Sequence, residues 1–225
     1  DYALNSVGMA GLTALLATVV AMTLVYAVRE TRGHHSISKR IAHGGVRIAT
    51  LGYALPGALL AIGLLASLGP LDQLVTRFLR DALGWSGGLV LTGSLVALIY
   101  ALLVRFLTVA YGSVNSGMSK VPPSFDDAAR TLGLSPSRLV RRVHLPLLGP
   151  QLAVSASLVF VDVMRELPAT LILRPFNFET LATRVYRLAS DERIVEASTS
   201  ALLIVLVGSI PVFVLNAEPR RREVD

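Results

Sequence analysis

A chain of 225 residues that is 53% hydrophobic and only 16% charged lies outside the composition of soluble domains, where about a quarter of residues are charged. Its net charge of +6 and pI of about 10.2 would suggest nucleic acid in a soluble protein, but here Lys and Arg gather between long apolar runs, so nucleic-acid binding is set aside. With no cysteine, disulfides, thiolate metal sites and thiol redox chemistry are excluded.

The apolar runs are about twenty residues long, the length at which a helix crosses a bilayer. Backbone groups in lipid must pair internally, and runs this continuous exclude the short alternating strands of a barrel. Five spans are predicted, at 7–28, 48–68, 87–110, 150–173 and 196–216. The first is too long for a signal-peptide core and has no basic flank before it. Because the chain starts at Asp1 rather than Met, a portion of a longer polypeptide is expected.

The loop 29–47 holds Arg29, Arg32, Lys39, Arg40 and Arg47 against Glu30 alone. Its His34, His35 and His43 read as solvated side chains of a basic loop. In the second span, Pro56 beside Gly57 predicts a kink. Small residues at Gly8, Gly11, Gly52, Gly57, Ala61, Gly63, Gly93 and Ala97 suit close helix packing. Between the second and third spans, Leu71, Leu74, Val75, Phe78, Leu79 and Leu83 recur at helical spacing, with Asp72, Arg77, Arg80 and Asp81 opposite. That pattern predicts an amphipathic helix at the interface, with Trp85 as its anchor. Arg105, late in the third span, is placed to snorkel to the cytoplasmic face.

The loop 111–149 holds Lys120, Arg130, Arg138, Arg141 and Arg142 against Asp126 and Asp127, and the tail holds Arg220, Arg221 and Arg222. Five spans put all three basic segments on one side. The positive-inside rule makes that side cytoplasmic and the N-terminus external. Asp162, Arg165 and Glu166 lie at i, i+3 and i+4 near the end of the fourth span and share one helical face. Charges at such depth often mark a pathway, so two readings stand: the lining or gate of a translocation path, or a local pair satisfied at a helix end. The carboxylates suit a hard cation, but an adjacent Arg makes a poor high-affinity site, so no metal site is assigned. Beyond them Leu181, Val185 and Leu188 repeat beside Arg184 and Arg187. Either external amphipathic segment serves to touch a soluble partner or to cover helix ends.

The most informative stretch is DDAARTLGLSPSRLVRRVHLPLLGP, residues 126–150. Ser124 is placed to cap a helix with Asp126 and Asp127 in its first turn. Gly133 stops that helix, Ser135 caps a second with Pro136 at its first position, and Pro146 and Pro150 mark the return to the membrane. Two short helices at an angle are expected, in a loop too long to be only a tie.

Asp127-Ala128-Ala129, three residues, Gly133, nine residues, Val143-His144-Leu145-Pro146 resembles the EAA motif of ATP-binding-cassette importer permeases. Asp127 stands where the motif has Glu, and Val143 where it has Ile. The resemblance implies that Asp127, Ala128, Ala129, Gly133, Leu145 and Pro146 form a coupling helix seated in a cleft of a separate ATPase subunit, with His144 also contacting that subunit. Residues 165–192 resemble the C-terminal half of ferric iron permeases, which implies a longer chain with a homologous first half. Permeases for thiamine, polyamines, sulfate or aminoethylphosphonate share much of the pattern.

No phosphate-binding loop, zinc-protease helix or nucleophile elbow occurs, so the chain is read as a permease rather than an enzyme, with no cofactor of its own and ATP held by the partner. The expected fold class is all-α: a polytopic membrane helix bundle of five transmembrane helices in one domain, 1–225, with the core of a type I importer. The implied setting is the bacterial inner membrane, surrounded by lipid. Implied partners are a second permease half, two ATPase subunits and a periplasmic substrate-binding protein. The rival class is an ion-coupled secondary transporter or channel with Asp162 and Glu166 as its ion site.

Overall fold

The computed structural model describes residues 1–31, 36–84 and 90–217. Trp85, His34, His35, Arg32 and Arg220 to Arg222 lie outside them. The described residues form ten α-helices and no strand: α1 (Tyr2–Glu30), α2 (Ser36–Ala49), α3 (Gly57–Leu83), α4 (Leu95–Ser119), α5 (Pro123–Thr131), α6 (Pro136–Leu139), α7 (Leu145–Met164), α8 (Pro168–Leu173), α9 (Leu181–Ser190) and α10 (Ile194–Ala217). Five stretches are long and apolar enough to cross a membrane: Tyr2–Glu30, Gly57–Ala82, Leu95–Ser119, Pro136–Met164 and Ile194–Leu215.

The core is the contact of α1, α4 and α7. Ala10, Ala14, Ala17 and Ala21 recur every three or four residues along α1 and are buried, as are Ala101 and Ala110 on α4 and Val159 and Val163 on α7. Small side chains let the backbones come close enough for dispersion contacts, the main attraction available between helices in lipid. Where the three helices meet, Thr18 and Ser155 share a hydrogen bond of 3.1 Å, and Ser155 donates to the Ala110 carbonyl at 3.5 Å. Arg29 near the end of α1 reaches the Met118 carbonyl near the end of α4. So α1 and α4 run in the same direction, and α7 returns between them.

Several expectations change. Gly8, Gly11, Gly63 and Gly93 would meet nothing within 4 Å if given a Cβ, so they are not packing contacts. At Gly52 an added Cβ would lie 2.1 Å from the Val104 carbonyl oxygen, which makes Gly52 a close approach of backbone to backbone. The predicted span 48–68 does not exist as one helix. After α2, a tight 3-10 turn over Leu51–Ala54 leads to extended Leu55 and then Pro56. A residue before proline is driven out of the α region, so the chain breaks here rather than kinks.

From Gly57 the helix continues unbroken through Pro70 to Leu83. Among the described residues of the predicted segment 69–86, no separate interfacial helix forms. Asp72, predicted on a water-facing surface, is fully buried; its carboxylate accepts from the backbone N–H groups of Val90, Leu91 and Thr92 at 2.7, 3.0 and 2.6 Å. It ties α3 to the segment leading into α4, which starts eight residues later than the predicted third span.

The fourth span is displaced in the opposite sense. Its helical path begins at Pro136, passes a π-type turn at Val140–His144 and ends at Met164. Pro146 sits in the first turn of α7 and Pro150 inside it, so the chain does not turn at either. The segment predicted as 150–173 is split before Pro168, because proline has no N–H to bond the Met164 carbonyl four residues back and its ring crowds that carbonyl, so α7 ends at Met164.

Candidate functional site

The loop between α4 and α7 is built as a hairpin. Pro122 and Pro123 start α5, Pro123 at a position where the missing N–H costs nothing. Ser124 therefore lies inside the helix and does not cap it. At the other end, Gly133 takes φ of +77, its N–H donates to the Arg130 carbonyl at 2.9 Å, and the Leu134 N–H donates to the Ala129 carbonyl at 3.0 Å. This pair is a Schellman closure, as the glycine predicted. Ser135 occupies the N-cap position before Pro136, although its hydroxyl faces Ser137 rather than the helix N–H groups.

The helix has two faces with different fates. Asp127, Ala128 and Gly133 point to the surface, together with Leu132 at 79% exposure. Leu145 and Pro146 are also exposed, at the start of α7. Ala129 is buried within the chain, so it seats α5 on its own bundle rather than facing outward. Adjacent Asp126 points inward as well.

Asp126 belongs to a buried cluster that the sequence does not announce. The Arg29 Nε donates to its Oδ2 at 2.5 Å, while Arg29 Nη1 donates to the carbonyls of Met118 at 2.9 Å and Val121 at 3.0 Å, and Nη2 to Pro122 at 3.2 Å. His144 Nε2 lies 3.2 Å from the other carboxylate oxygen. The imidazole is fully buried and tilts against the Tyr26 ring, 5.7 Å between centroids. His144 thus packs inside the chain and does not face a partner. At the surface Arg130 donates to Glu30 at 2.8 Å, a second tie between α5 and α1. Arg29 had counted only as a loop charge, and nothing local pairs it with a carboxylate 97 positions away.

The three charges near the end of the fourth span do not stay together. Helix α7 ends at Met164, so their shared helical face dissolves. Asp162 pairs with Arg165, whose side chain is 67% exposed. Both line an open groove of about 580 Å³ between α7 and α10, with Val154, Leu158, Val161, Val212 and Leu215.

Glu166 turns inward. It lies 3.3 Å from Arg105 Nε, and its Oε1 accepts from the Ala169 N–H at 3.2 Å. Arg105 does not snorkel: it sits ten residues into α4, about 15 Å along the helix, and its Nη1 donates to the Leu55 carbonyl at 2.8 Å. The pair therefore stands where the break before α3 meets the break before α8. Gly57 makes room for it, since a Cβ there would lie 2.5 Å from Glu166 Oε1. Among the described residues no three His, Asp or Glu side chains converge to hold a metal ion.

A family model described as binding-protein-dependent transport system inner membrane component matches residues 34–222. The chain is 28% identical over 212 residues to the Fe(3+)-transport system permease protein FbpB 2 of Haemophilus influenzae, covering 94% of this chain and 38% of that protein. A putative 2-aminoethylphosphonate transport system permease protein PhnV of Salmonella typhimurium is 30% identical over 132 residues, 59% of this chain and 49% of the relative. The chain thus spans between about a third and half of the length of these curated relatives.

Among solved structures, a bacterial alginate ABC transporter in complex with an alginate pentasaccharide-bound periplasmic protein superposes with a TM-score of 0.74 at 17% identity, over 98% of this chain and 77% of that one. The inward-facing MetNI methionine ABC transporter superposes with a TM-score of 0.66 at 18% identity, over 96% and 92%. At these identities the likeness establishes the fold.

Proposed function

The chain belongs to the family of binding-protein-dependent transport system inner membrane components, multi-pass proteins of transport systems, and from that membership we infer that it is a permease half of an ATP-driven importer. The observation that carries the reading is the α5 hairpin. It presents Asp127, Ala128, Leu132 and Gly133 outward from the basic end of the bundle while its inner face is fastened to α1, α4 and α7. A rigid knob on a buried mount suits the transfer of force from an ATPase cleft to the membrane helices. A second permease half and an external substrate-binding protein complete the proposed assembly.

Ferric iron is the proposed cargo. The ferric relatives align along 94% of the chain, whereas the aminoethylphosphonate relatives align along 59%. The proposed path runs by Glu166, with Arg105 as its partner.

The test is purification from membranes. An ATPase subunit should co-elute, and iron uptake should stop on ATP depletion but survive collapse of the proton gradient. Gly133→Phe should break the coupling of hydrolysis to uptake and leave the spans folded, because a bulky residue at φ +77 is strained whatever space surrounds it. Uptake that follows the ion gradient, without an ATPase, would return the chain to the secondary-transporter class.

A further inference from the structure

The segment between α8 and α9 is a braced turn with one apolar side chain in the open. The Phe178 N–H donates to the Pro175 carbonyl at 3.1 Å, and Asn177 takes φ of +61, so residues 175–178 form a tight β-turn. Arg174 Nη1 donates to the Phe178 carbonyl at 3.1 Å and lies 3.4 Å from Glu179 Oε1, which Arg187 of α9 also contacts. Thr180 and Thr183 close a capping box at the start of α9. The Phe178 ring packs against the core. Phe176, two residues earlier at the tip, is 95% exposed, more than any other large apolar side chain among the described residues.

The turn lies beyond the membrane. Asn5 donates to the Glu179 carbonyl at 3.0 Å and Ser6 accepts from the Leu181 N–H at 2.8 Å, so the turn sits at the start of α1. Arg29 marks the other end, 24 residues away, or about 36 Å of helix. A hydrocarbon core is about 30 Å thick. The turn and the α5 hairpin are therefore on opposite sides, and the turn projects where a soluble protein would approach.

We propose that Phe176 is the aromatic anchor on which an external substrate-binding protein seats, inserting into an apolar socket rimmed by carboxylates. This rests on the importer reading above. An aromatic side chain has few torsions to freeze, and here the backbone under it is already ordered, so little entropy is lost on docking. Arg174 and Arg187 outnumber Glu179 around it and leave a positive rim, which selects an acidic surface. Beside the ring, Leu171, Arg174, Pro175, Asn177 and Glu179 outline a shallow recess of about 330 Å³ that a partner side chain can enter.

The experiment uses the whole transporter in nanodiscs and a purified, iron-loaded ferric-binding protein as the probe, reading the concentration that half-stimulates ATP hydrolysis. Phe176→Ala should raise that concentration by roughly ten- to thirtyfold. Phe176→Tyr should stay within about threefold, because the ring is kept. Asn177→Val, which strains the turn but leaves the ring, should weaken docking, while Asn177→Gly should not.

An unchanged half-stimulating concentration in Phe176→Ala, with the wild type stimulated, overturns the anchor and spares the importer reading. No stimulation of the wild type overturns both. Loss of assembly on size exclusion in Phe176→Ala would mean a contact with the second permease half, and quenching of Phe176→Trp by brominated lipid would mean a membrane anchor. Either result overturns the proposal.

Discussion

Two arginines are drawn into this bundle, and they are used differently. Arg29 is almost completely enclosed and spends its donors on one carboxylate and three carbonyls at and just after the end of α4. Arg105 is partly exposed and donates to one carbonyl, and its contact with Glu166 at 3.3 Å leaves Nε without an aligned hydrogen bond. The first is a joint between α1, α4 and α5 in which four of the five N–H donors are bonded. The second is a loosely satisfied joint between two helix breaks. A guanidinium with most of its donors engaged fixes the groups around it, whereas an under-used one can exchange partners at lower cost. The end that carries the α5 hairpin is thus the more fully braced one, and the breaks before α3 and α8 are held by fewer bonds.

The contrast is broken most severely at Arg29. Arg29→Met leaves the Asp126 carboxylate buried beside His144 and removes the side-chain donor to the Met118, Val121 and Pro122 carbonyls. Removing one member of a buried pair costs about 3–5 kcal/mol. The thermal midpoint of the purified protein should fall sharply, and limited proteolysis should open the 120–135 loop first. A midpoint equal to wild type would mean that the cluster holds nothing together.

Arg105→Met should cost less, roughly 2–3 kcal/mol, because this pair is less enclosed and makes fewer aligned hydrogen bonds. Glu166→Gln keeps an acceptor for the Ala169 N–H, so assembly should persist while iron uptake per assembled complex drops. The double substitution Arg105→Met with Glu166→Leu should recover much of the stability but not the uptake. Recovery of both would reduce the pair to packing.

Smallest of all is Arg165→Ala. Its partner is Asp162 on an open groove, and exposed pairs contribute less than about 1 kcal/mol. Assembly should therefore survive. A collapse comparable to Arg29→Met would show that the groove is closed by another subunit, with the pair buried in the complex.

How much of this could be read in advance depends on range. The loop hairpin was legible because its signals are local: Gly133 sets its own φ, and Pro136 its own helix start. The break at Pro56 was anticipated only as a kink, and the end of α7 before Pro168 was missed, because apolar windows average across a proline. Asp72 was misplaced because helical periodicity reports a face, not what covers it. Asp162, Arg165 and Glu166 were grouped on the assumption that one helix carries all three.

What the sequence determined by itself was the class: five apolar stretches of membrane-crossing length, a basic end, and a motif whose spacing survives as a real hairpin. Those properties follow from composition and near-neighbour chemistry. Only the tertiary structure decided which charges meet. Arg29 reaches Asp126, and Arg105 reaches both Leu55 and Glu166, across 50 to 97 positions, because α1, α4 and α7 pack close enough for buried donors to find buried acceptors. Inside lipid an unmet polar group is costly, so packing chooses the partners, and no local pattern encodes that choice.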